Sequence, residues 1–256
     1  MAHADDPILR VEALAKHFGG VAAVDEVSAE LWPGETVALI GPNGAGKTTF
    51  YNMVSGRMTP SAGRILFKGR DIAGMPPHRI ARLGISRSFQ ITNVFGEMSV
   101  RENVQVALVS HRRKSLHLFR VLGWDRMLRE EADTILGRLG LAEMAEARAE
   151  TLSYGDKRLL ELAIVLAIEP ELVLLDEPTA GMTPEETRKV VALLNELRRD
   201  RPYTFFITEH DMSVVFGLAD RVLVMHRGRL LSQGTPDQVS ADPNVRAAYL
   251  GDAETK

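Results

Sequence analysis

The sequence predicts an α/β protein with a largely parallel central sheet and an inserted helical lobe. Short apolar runs that read as strands alternate with segments of helical periodicity, the pattern of strands joined by crossover helices. A glycine-rich segment, "GPNGAGKTT", directly follows one of these runs. Between residue 100 and about residue 150, apolar residues recur at helical spacing without strand signals, so we expect the helical lobe there.

The individual elements can be justified in chain order. "ILRVEAL" and "VDEVSAELW" are predicted strands, and "GRILFKGRDI" is a predicted strand with a turn at Lys68-Gly69. "ETVALI" is typical of a buried strand and ends at Gly41. Beyond the lobe, "ELVLLDE" and "YTFFITEH" are predicted strands separated by the helix "TPEETRKVVALLNELRRD". "RVLVMHRGRLLSQG" is then predicted to form a closing hairpin.

Composition limits the classes of protein to consider. With 256 residues, 45% apolar and 25% charged, the chain has the make-up of one large globular domain or a major domain with a smaller lobe. A net charge of −3 argues against a dedicated nucleic-acid-binding protein. The absence of cysteine excludes disulfides, thiolate metal sites and cysteine nucleophiles. The acidic start "MAHADDPILR" lacks a signal-peptide core, and no apolar run could span a bilayer, so we expect a cytosolic chain that reaches a membrane only through a partner.

The segment "GPNGAGKTT" matches the pattern of a phosphate-binding loop, with a strand before it and a helix after it. Glycines let backbone N–H groups wrap around phosphates, and the helix N-terminus adds its positive dipole end. Lys47 is expected to reach the β- and γ-phosphates, and the Thr48 hydroxyl to bind Mg²⁺. The alternative is a plain glycine-rich turn. The residues predicted to bind the nucleotide here are Gly41, Asn43, Gly44, Gly46, Lys47, Thr48 and Thr49.

The segment "LVLLDEP" predicts the second half of a nucleotide triphosphate site. Asp176 stands at the carboxyl end of a buried strand, where parallel sheets place ligand chemistry, and would hold the Mg²⁺ shell. Glu177 is placed to polarise an attacking water, which favours hydrolysis over a switch or kinase function. The alternative is a pair of solvated carboxylates.

Three further segments have weaker signals of their own. His210 follows the strand "FFIT", and Gln90 follows "GISRSF"; either could be a surface residue. "LSYGDKRLLELA" is a second glycine-marked helix start, at which Ser153 and the backbone N–H of Gly155 could bind an anion. It can equally be read as an ordinary helix capped through Ser153-x-x-Asp156, and the two interpretations are compatible.

Taken together, these motifs resemble those of the ATP-binding cassette (ABC) ATPase family over nearly the whole chain. They stand in the family's order: the phosphate loop, Gln90, "LSYGD", "LVLLDEP", the loop "AGMT" and His210. The resemblance implies a P-loop NTPase core of RecA type with an antiparallel β subdomain and a helical lobe. Residues 1–256 would then form one ABC ATPase domain, with 1–91 and 165–256 as the core and 92–164 as the lobe.

The resemblance also implies functional roles. Phe18 would stack on adenine, although it could also be a core phenylalanine. Gln90 would join the metal and the attacking water to the membrane-facing lobe, and His210 would contact the γ-phosphate. Ser153 and Gly155 would complete the ATP site of a second cassette packed head to tail. The implied cofactors are ATP and Mg²⁺.

The resemblance further implies an assembly on the cytoplasmic face of the plasma membrane. Its other members would be two membrane-spanning permease subunits and, indirectly, a substrate-binding protein, with no nucleic acid. The apolar residues Val94, Phe95 and Met98 are candidates for docking a permease helix; alternatively, Phe95 packs the joint between core and lobe. The chain departs from the usual family pattern at two positions: Asp156 replaces a glutamine and Thr183 an aspartate.

Finer motifs narrow the resemblance. "FGGVAAVDEVS", "AGMTPEET" and "AYLG" are similar to the ATPase subunits of bacterial branched-chain amino-acid importers. Close relatives import amides or urea or export lipopolysaccharide, so the substrate rests on the resemblance alone. Two other classes are alternatives: a soluble ABC ATPase, which usually carries two cassettes or a long coiled-coil insertion, and a P-loop kinase or GTP switch, which would not explain "LSYGD". The segment 111–129 either lies near anionic lipid or an acidic partner, or is a solvated face. Its basic residues are Arg112, Arg113, Lys114, Arg120, Arg126 and Arg129.

Overall fold

Ten strands form two sheets in this computed structural model, which describes residues 6–88, 94–112, 126–201 and 203–251. The strands are β1 (Leu9–Phe18), β2 (Val21–Leu31), β3 (Thr36–Ile40), β4 (Ala62–Phe67), β5 (Arg70–Asp71), β6 (Ile85–Arg87), β7 (Leu172–Asp176), β8 (Thr204–Thr208), β9 (Arg221–His226) and β10 (Arg229–Gly234).

The larger sheet has the strand order β10-β9-β3-β8-β7-β6. All neighbours in it are parallel except the β9/β10 hairpin, so the prediction of a largely parallel sheet with a closing hairpin is confirmed. Alternate residues of β3 enter two different cores: Val37 and Leu39 belong to one, and Ala38 and Ile40 to the other. Both faces of this sheet are therefore covered, which explains why its strands are continuous apolar runs.

The smaller sheet is antiparallel and has the order β2-β1-β4-β5. It shares one core with the first helix of the chain and with one face of the larger sheet. The predicted turn between β4 and β5 is present: Lys68 and Gly69 have φ values of 51° and 77°, the left-handed geometry of a tight hairpin turn.

Nine α-helices lie in the described ranges. They are α1 (Lys47–Val54), α2 (Pro77–Ala81), α3 (Val100–His111), α4 (Arg126–Arg138), α5 (Tyr154–Leu166), α6 (Pro184–Asp200), α7 (Met212–Leu218), α8 (Pro236–Ala241) and α9 (Pro243–Gly251).

Helices α3, α4 and α5 pack against one another, so the predicted helical stretch is present. A capping box at Ser99 and Glu102 starts α3. The three helices share one hydrophobic core with one face of the larger sheet. Helices α6 and α7 belong to the same core. Gln90 and most of the basic segment 111–129 lie outside the described residues. No helix among those described is both long enough and apolar enough to span a bilayer.

Candidate functional site

Three adjacent strands of the larger sheet bring the predicted motifs to one edge. β3 pairs with β8, and β8 pairs with β7, all in parallel. Their carboxyl ends lead into Gly41, His210 and Asp176, respectively. Because the carboxyl ends of parallel strands share one edge of a sheet, residues far apart in sequence meet there, which is where such sheets bind ligands.

The phosphate loop joins β3 to α1 in a conformation that needs glycine. Gly46 has a φ of 98°, and a Cβ there would lie 2.3 Å from the Ala23 carbonyl oxygen. Helix α1 has no side-chain cap, whereas α3, α5, α6 and α7 are capped by Ser or Thr or Asp side chains. The first N–H groups of α1 are therefore left for an anion, as expected of a phosphate cradle.

Lys47 folds back over this loop. Its Nζ donates hydrogen bonds to the carbonyl oxygens of Gly41 and Pro42, the latter at 3.0 Å. Burial lowers the pKa of Lys47, and the negative charge of Glu177 partly opposes that shift. Phosphate oxygens would offer this ammonium group stronger partners than neutral carbonyls, because an anionic acceptor adds charge attraction to the hydrogen bond.

Asp176 is held from two sides. Its Oδ1 accepts a hydrogen bond from the Thr208 hydroxyl at 2.6 Å, and its Oδ2 accepts one from Arg87 Nη2 at 2.7 Å. The Arg87 side chain is only 9% exposed and that of Asp176 17%. Tyr51 lies beneath the guanidinium, with Cζ 4.7 Å from the ring centroid. Burial and the charge of Asp176 raise the pKa of the Tyr51 hydroxyl well above its ordinary value, and Arg87 opposes them.

Glu177 adopts a left-handed backbone conformation, with a φ of 47°. Such a conformation costs ~1–3 kcal/mol in a residue other than glycine and is concentrated at functional sites. The N–H of Glu177 donates to the carbonyl oxygen of Thr208 at 3.0 Å, which holds it beside β8. Its Oε1 lies 3.5 Å from His210 Nδ1, and both side chains are exposed enough to meet a ligand.

The buried carboxylate of Glu209 holds the backbone on both sides of the Glu177–His210 pair. Glu209 is 2% exposed, and its Oε1 accepts a hydrogen bond from the Thr179 hydroxyl at 2.8 Å. Its Oε2 accepts one from the backbone N–H of His210 at 3.2 Å. Glu209 thus ties the backbone of His210 to Thr179, in the loop that follows Glu177.

The second glycine-marked helix start forms its own contacts. Ser153 caps α5 by accepting from the Asp156 N–H at 3.1 Å, and its hydroxyl donates to the Asp156 carboxylate at 2.6 Å. The predicted cap is therefore present, but the Asp156 carboxylate binds the serine hydroxyl and not the serine N–H. Within the described ranges, every hydrogen bond of Ser153 stays inside this helix start. Nothing there joins it to the phosphate loop of the same chain.

The start of α5 rests on the loop after Glu177. A Cβ on Gly181 would lie 3.4 Å from the Tyr154 ring, and one on Gly155 would lie 3.0 Å from Glu186 Oε1. Thr183, one of the two departures from the family pattern, is the N-cap of α6. It forms a capping box with Glu186, whose carboxylate accepts the Thr183 N–H at 2.8 Å. The threonine therefore has a structural use as a helix cap.

Two predicted contact residues lie on the surface. Phe18 is exposed at the end of β1, with Lys16 Nζ 5.4 Å from its ring centroid, so it is not a core phenylalanine. Phe95 is 55% exposed and borders a groove of about 250 Å³ between α3, α5 and β6. Glu161 lines the same groove, is 6% exposed, and has one carboxylate oxygen without a hydrogen-bond partner in the described structure.

Three residues at the site were not predicted from the sequence. They are Arg87, Thr208 and Glu209. A single arginine in "GISRS" and a single threonine in "FFITEH" carry no spacing signal, because their partners come from distant strands. Glu209 precedes a predicted site residue, but only packing reveals that its carboxylate is buried.

The comparisons with known proteins agree with this geometry. The family model described as "ABC transporter" matches residues 24–180, which is more than half of the chain. The chain belongs to the ABC transporter ATPase family. As a member, this ABC ATPase binds and hydrolyses ATP as a subunit of a transporter. A second model, described as "Branched-chain amino acid ATP-binding cassette transporter", matches residues 229–255 of the ABC ATPase.

Individual relatives match along nearly their whole length. The high-affinity branched-chain amino acid transport ATP-binding protein LivG of Escherichia coli K12 is 43% identical over 254 residues, covering 96% of this ABC ATPase and 99% of LivG. The lipopolysaccharide export system ATP-binding protein LptB of Acidithiobacillus ferridurans is 36% identical, covering 96% and 97%. Among solved structures, the ADP conformation of MJ1267, an ATP-binding cassette of an ABC transporter, superimposes with a TM-score of 0.84 at 31% identity, covering 96% and 99%.

Proposed function

We propose that this ABC ATPase powers the uptake of branched-chain amino acids. The observation that carries the proposal is the match of residues 229–255 to the branched-chain amino acid family model. This segment lies beyond residues 24–180, which match the general ABC transporter model. The higher identity to LivG than to LptB supports the same choice.

In the proposed catalytic site, the uncapped start of α1 and Lys47 bind the β- and γ-phosphates of ATP, and Phe18 stacks on adenine. Glu177 accepts a proton from the attacking water, and His210, 3.5 Å from it, contacts the γ-phosphate. Gln90 keeps its proposed role at the metal and the attacking water, although it lies outside the described residues.

The donor set of the site fits Mg²⁺. Asp176 and the Thr48 hydroxyl offer hard oxygen donors, and no group of three or more acidic or histidine ligands forms a cage in the described part of the chain. Mg²⁺ is commonly held in this way, by one or two protein oxygens together with phosphates and water. When bound, it would neutralise phosphate charge.

The proposed active unit is a head-to-tail pair of cassettes. Ser153 and the Gly155 N–H form an exposed, capped helix start whose hydrogen bonds do not reach its own phosphate loop. We propose that they bind the γ-phosphate held by a second cassette, which is a copy of this chain or a sister subunit. Residues 1–91 and 165–256 would move as the core of this unit, and 92–164 as its lobe.

Two membrane-spanning permease subunits complete the proposed transporter, which places the ABC ATPase at the cytoplasmic face of the membrane. The groove beside Phe95 is lined by the apolar side chains of Val94, Ile164 and Val165. We propose that a short permease helix docks there with Phe95 as its anchor. The substrate then contacts the permease and a separate substrate-binding protein, and never the ATPase.

Reconstitution tests this proposal. The chain would be co-expressed with candidate permease subunits from the same organism, and the complex placed in vesicles with a substrate-binding protein and ATP. We expect uptake of radiolabelled leucine, isoleucine or valine that depends on ATP and is lost with Glu177→Gln. Transport of an amide or urea alone, or of a lipopolysaccharide, would overturn the substrate assignment and leave the ATPase assignment intact.

A further inference from the structure

The guanidinium of Arg87 joins two parts of the ATP site that the sequence keeps far apart. Through Nη2 it donates to Asp176 at the end of β7. Through Nη1 it donates to Asn52 Oδ1 at 2.7 Å and to Ser55 Oγ at 2.8 Å, at the far end of the phosphate-loop helix α1. The same group therefore ties the helix that starts with Lys47 and Thr48 to the carboxylate opposite.

The surroundings fix the guanidinium itself. Tyr51 is fully buried and packs against the Arg87 plane, and its hydroxyl donates to the Phe206 carbonyl oxygen of β8 at 3.1 Å. Arg87 is the last residue of β6, in register with Leu174 of β7. Strand register, the cation–π contact with Tyr51 and three donated hydrogen bonds leave this side chain little freedom to move, as a preorganised site requires.

We propose that Arg87 is a positioning residue for the metal shell, holding the oxygen donors of Asp176 and Thr48 at one fixed spacing. The proposal rests on the proposed roles of those two residues. The planar fork of arginine is essential to it, because one nitrogen serves Asp176 while the other serves α1. A lysine would keep the positive charge but could place only one nitrogen where the arginine fork places two.

The competing explanation is that Arg87 only compensates the charge of a largely buried Asp176. In that case any cation at position 87 would suffice. Removing the cation would make the site more negative, so Mg²⁺ would bind more tightly. For Arg87→Lys, which keeps the cation, charge compensation therefore predicts an unchanged Mg²⁺ contribution, whereas positioning predicts a weaker one.

The test is the ratio of ATP affinities measured with Mg²⁺ and with EDTA, by isothermal titration calorimetry on the isolated chain. The melting temperature without metal or nucleotide gives a second readout. We expect Arg87→Lys to lower the contribution of Mg²⁺ to ATP binding by about 10–100-fold, the usual cost of losing a residue that orients a metal ligand. ATP affinity in EDTA should change far less.

The matched control is Arg221→Lys. Arg221 forms a forked, largely buried ion pair with Glu35 at 2.7 Å and 2.9 Å, at the opposite end of the larger sheet. This control should lower the melting temperature and leave the Mg²⁺ contribution unchanged.

A second variant, Asn52→Ala, keeps the Arg87–Asp176 pair and removes one anchor on α1, so it decides the question if Arg87→Lys does not fold. It should shift the Mg²⁺ contribution in the same direction by a smaller factor. An unchanged or strengthened Mg²⁺ contribution in a folded Arg87→Lys protein, or in Asn52→Ala if that variant alone folds, would overturn the proposal. The roles of Asp176 and Thr48 are tested separately, because Asp176→Asn should abolish the Mg²⁺ contribution whatever Arg87 does.

Discussion

Truncation of Phe95 distinguishes a docking residue from a core residue. A fully buried phenylalanine cut to alanine costs ~3–5 kcal/mol of unfolding free energy. Phe95 is 55% exposed, so less than half of its surface is buried. We therefore expect Phe95→Ala to lower the free energy of unfolding by at most ~2 kcal/mol. In a protein of this size each 1 kcal/mol lowers the melting temperature by ~2–4 °C, which gives a drop of at most ~8 °C.

Phe50 is the matched control, because it lies on the buried face of the phosphate-loop helix α1 and is 1% exposed. Phe50→Ala should lower the melting temperature of the isolated chain by ~6–20 °C, at least about 1.5 times the drop for Phe95→Ala. Calorimetry on both variants gives this comparison. Phe95→Ala should also weaken co-purification with the permease subunits. If its melting temperature fell as far as that of the control, or if it assembled as well as wild type, the docking role would be wrong.

Three further predictions concern glutamates. Glu177→Gln should retain ATP in filter-binding assays but hydrolyse it ~10²–10⁴ times more slowly, and a rate within about threefold of wild type would contradict the catalytic role. The same variant should be monomeric without nucleotide and dimeric with MgATP in light scattering; a monomer under both conditions would indicate a heterodimer with a sister cassette. Burial raises the pKa of Glu161 above its ordinary 4.5. The folded state therefore loses stability as pH rises from 4.5 through that higher pKa, and Glu161→Gln should remove this loss. If the melting temperatures of wild type and Glu161→Gln changed in parallel across that pH range, Glu161 would not be the source of the loss of stability.

The sequence predicted those parts of the site that follow buried parallel strands. "ETVALI" and "LVLLDE" are continuous apolar runs because both faces of the larger sheet are covered, and such runs end where the chain meets ligands. Gly41, Asp176 and His210 could therefore be assigned to one edge before the fold was known. The hairpin at Lys68-Gly69 was predictable for a different reason, since its turn chemistry is local.

The remaining features depend on contacts that no local pattern encodes. Strand β6 has three residues, too few to show alternation, so Arg87 could not be placed opposite Asp176. Thr183 was recognised as a departure from the family pattern, but its capping box with Glu186 appears only when α6 is seen to begin there. The exposure of Phe95 was likewise open, because the same apolar segment can pack a joint or form a surface.

Gly181 and Tyr154 lie close together in one chain, but in a head-to-tail pair they would belong to two different ATP sites. Gly181 lies on the loop that leaves the chain's own Glu177, and Tyr154 on the helix start that would serve the nucleotide of the second cassette. In such a pair, a movement of the loop after Glu177 would displace Tyr154 of the same chain. Such coupling is reciprocal by thermodynamic necessity, so ATP at either site would change the affinity of the other by the same factor. The pair would respond to ATP concentration as a single cooperative unit with two nucleotides.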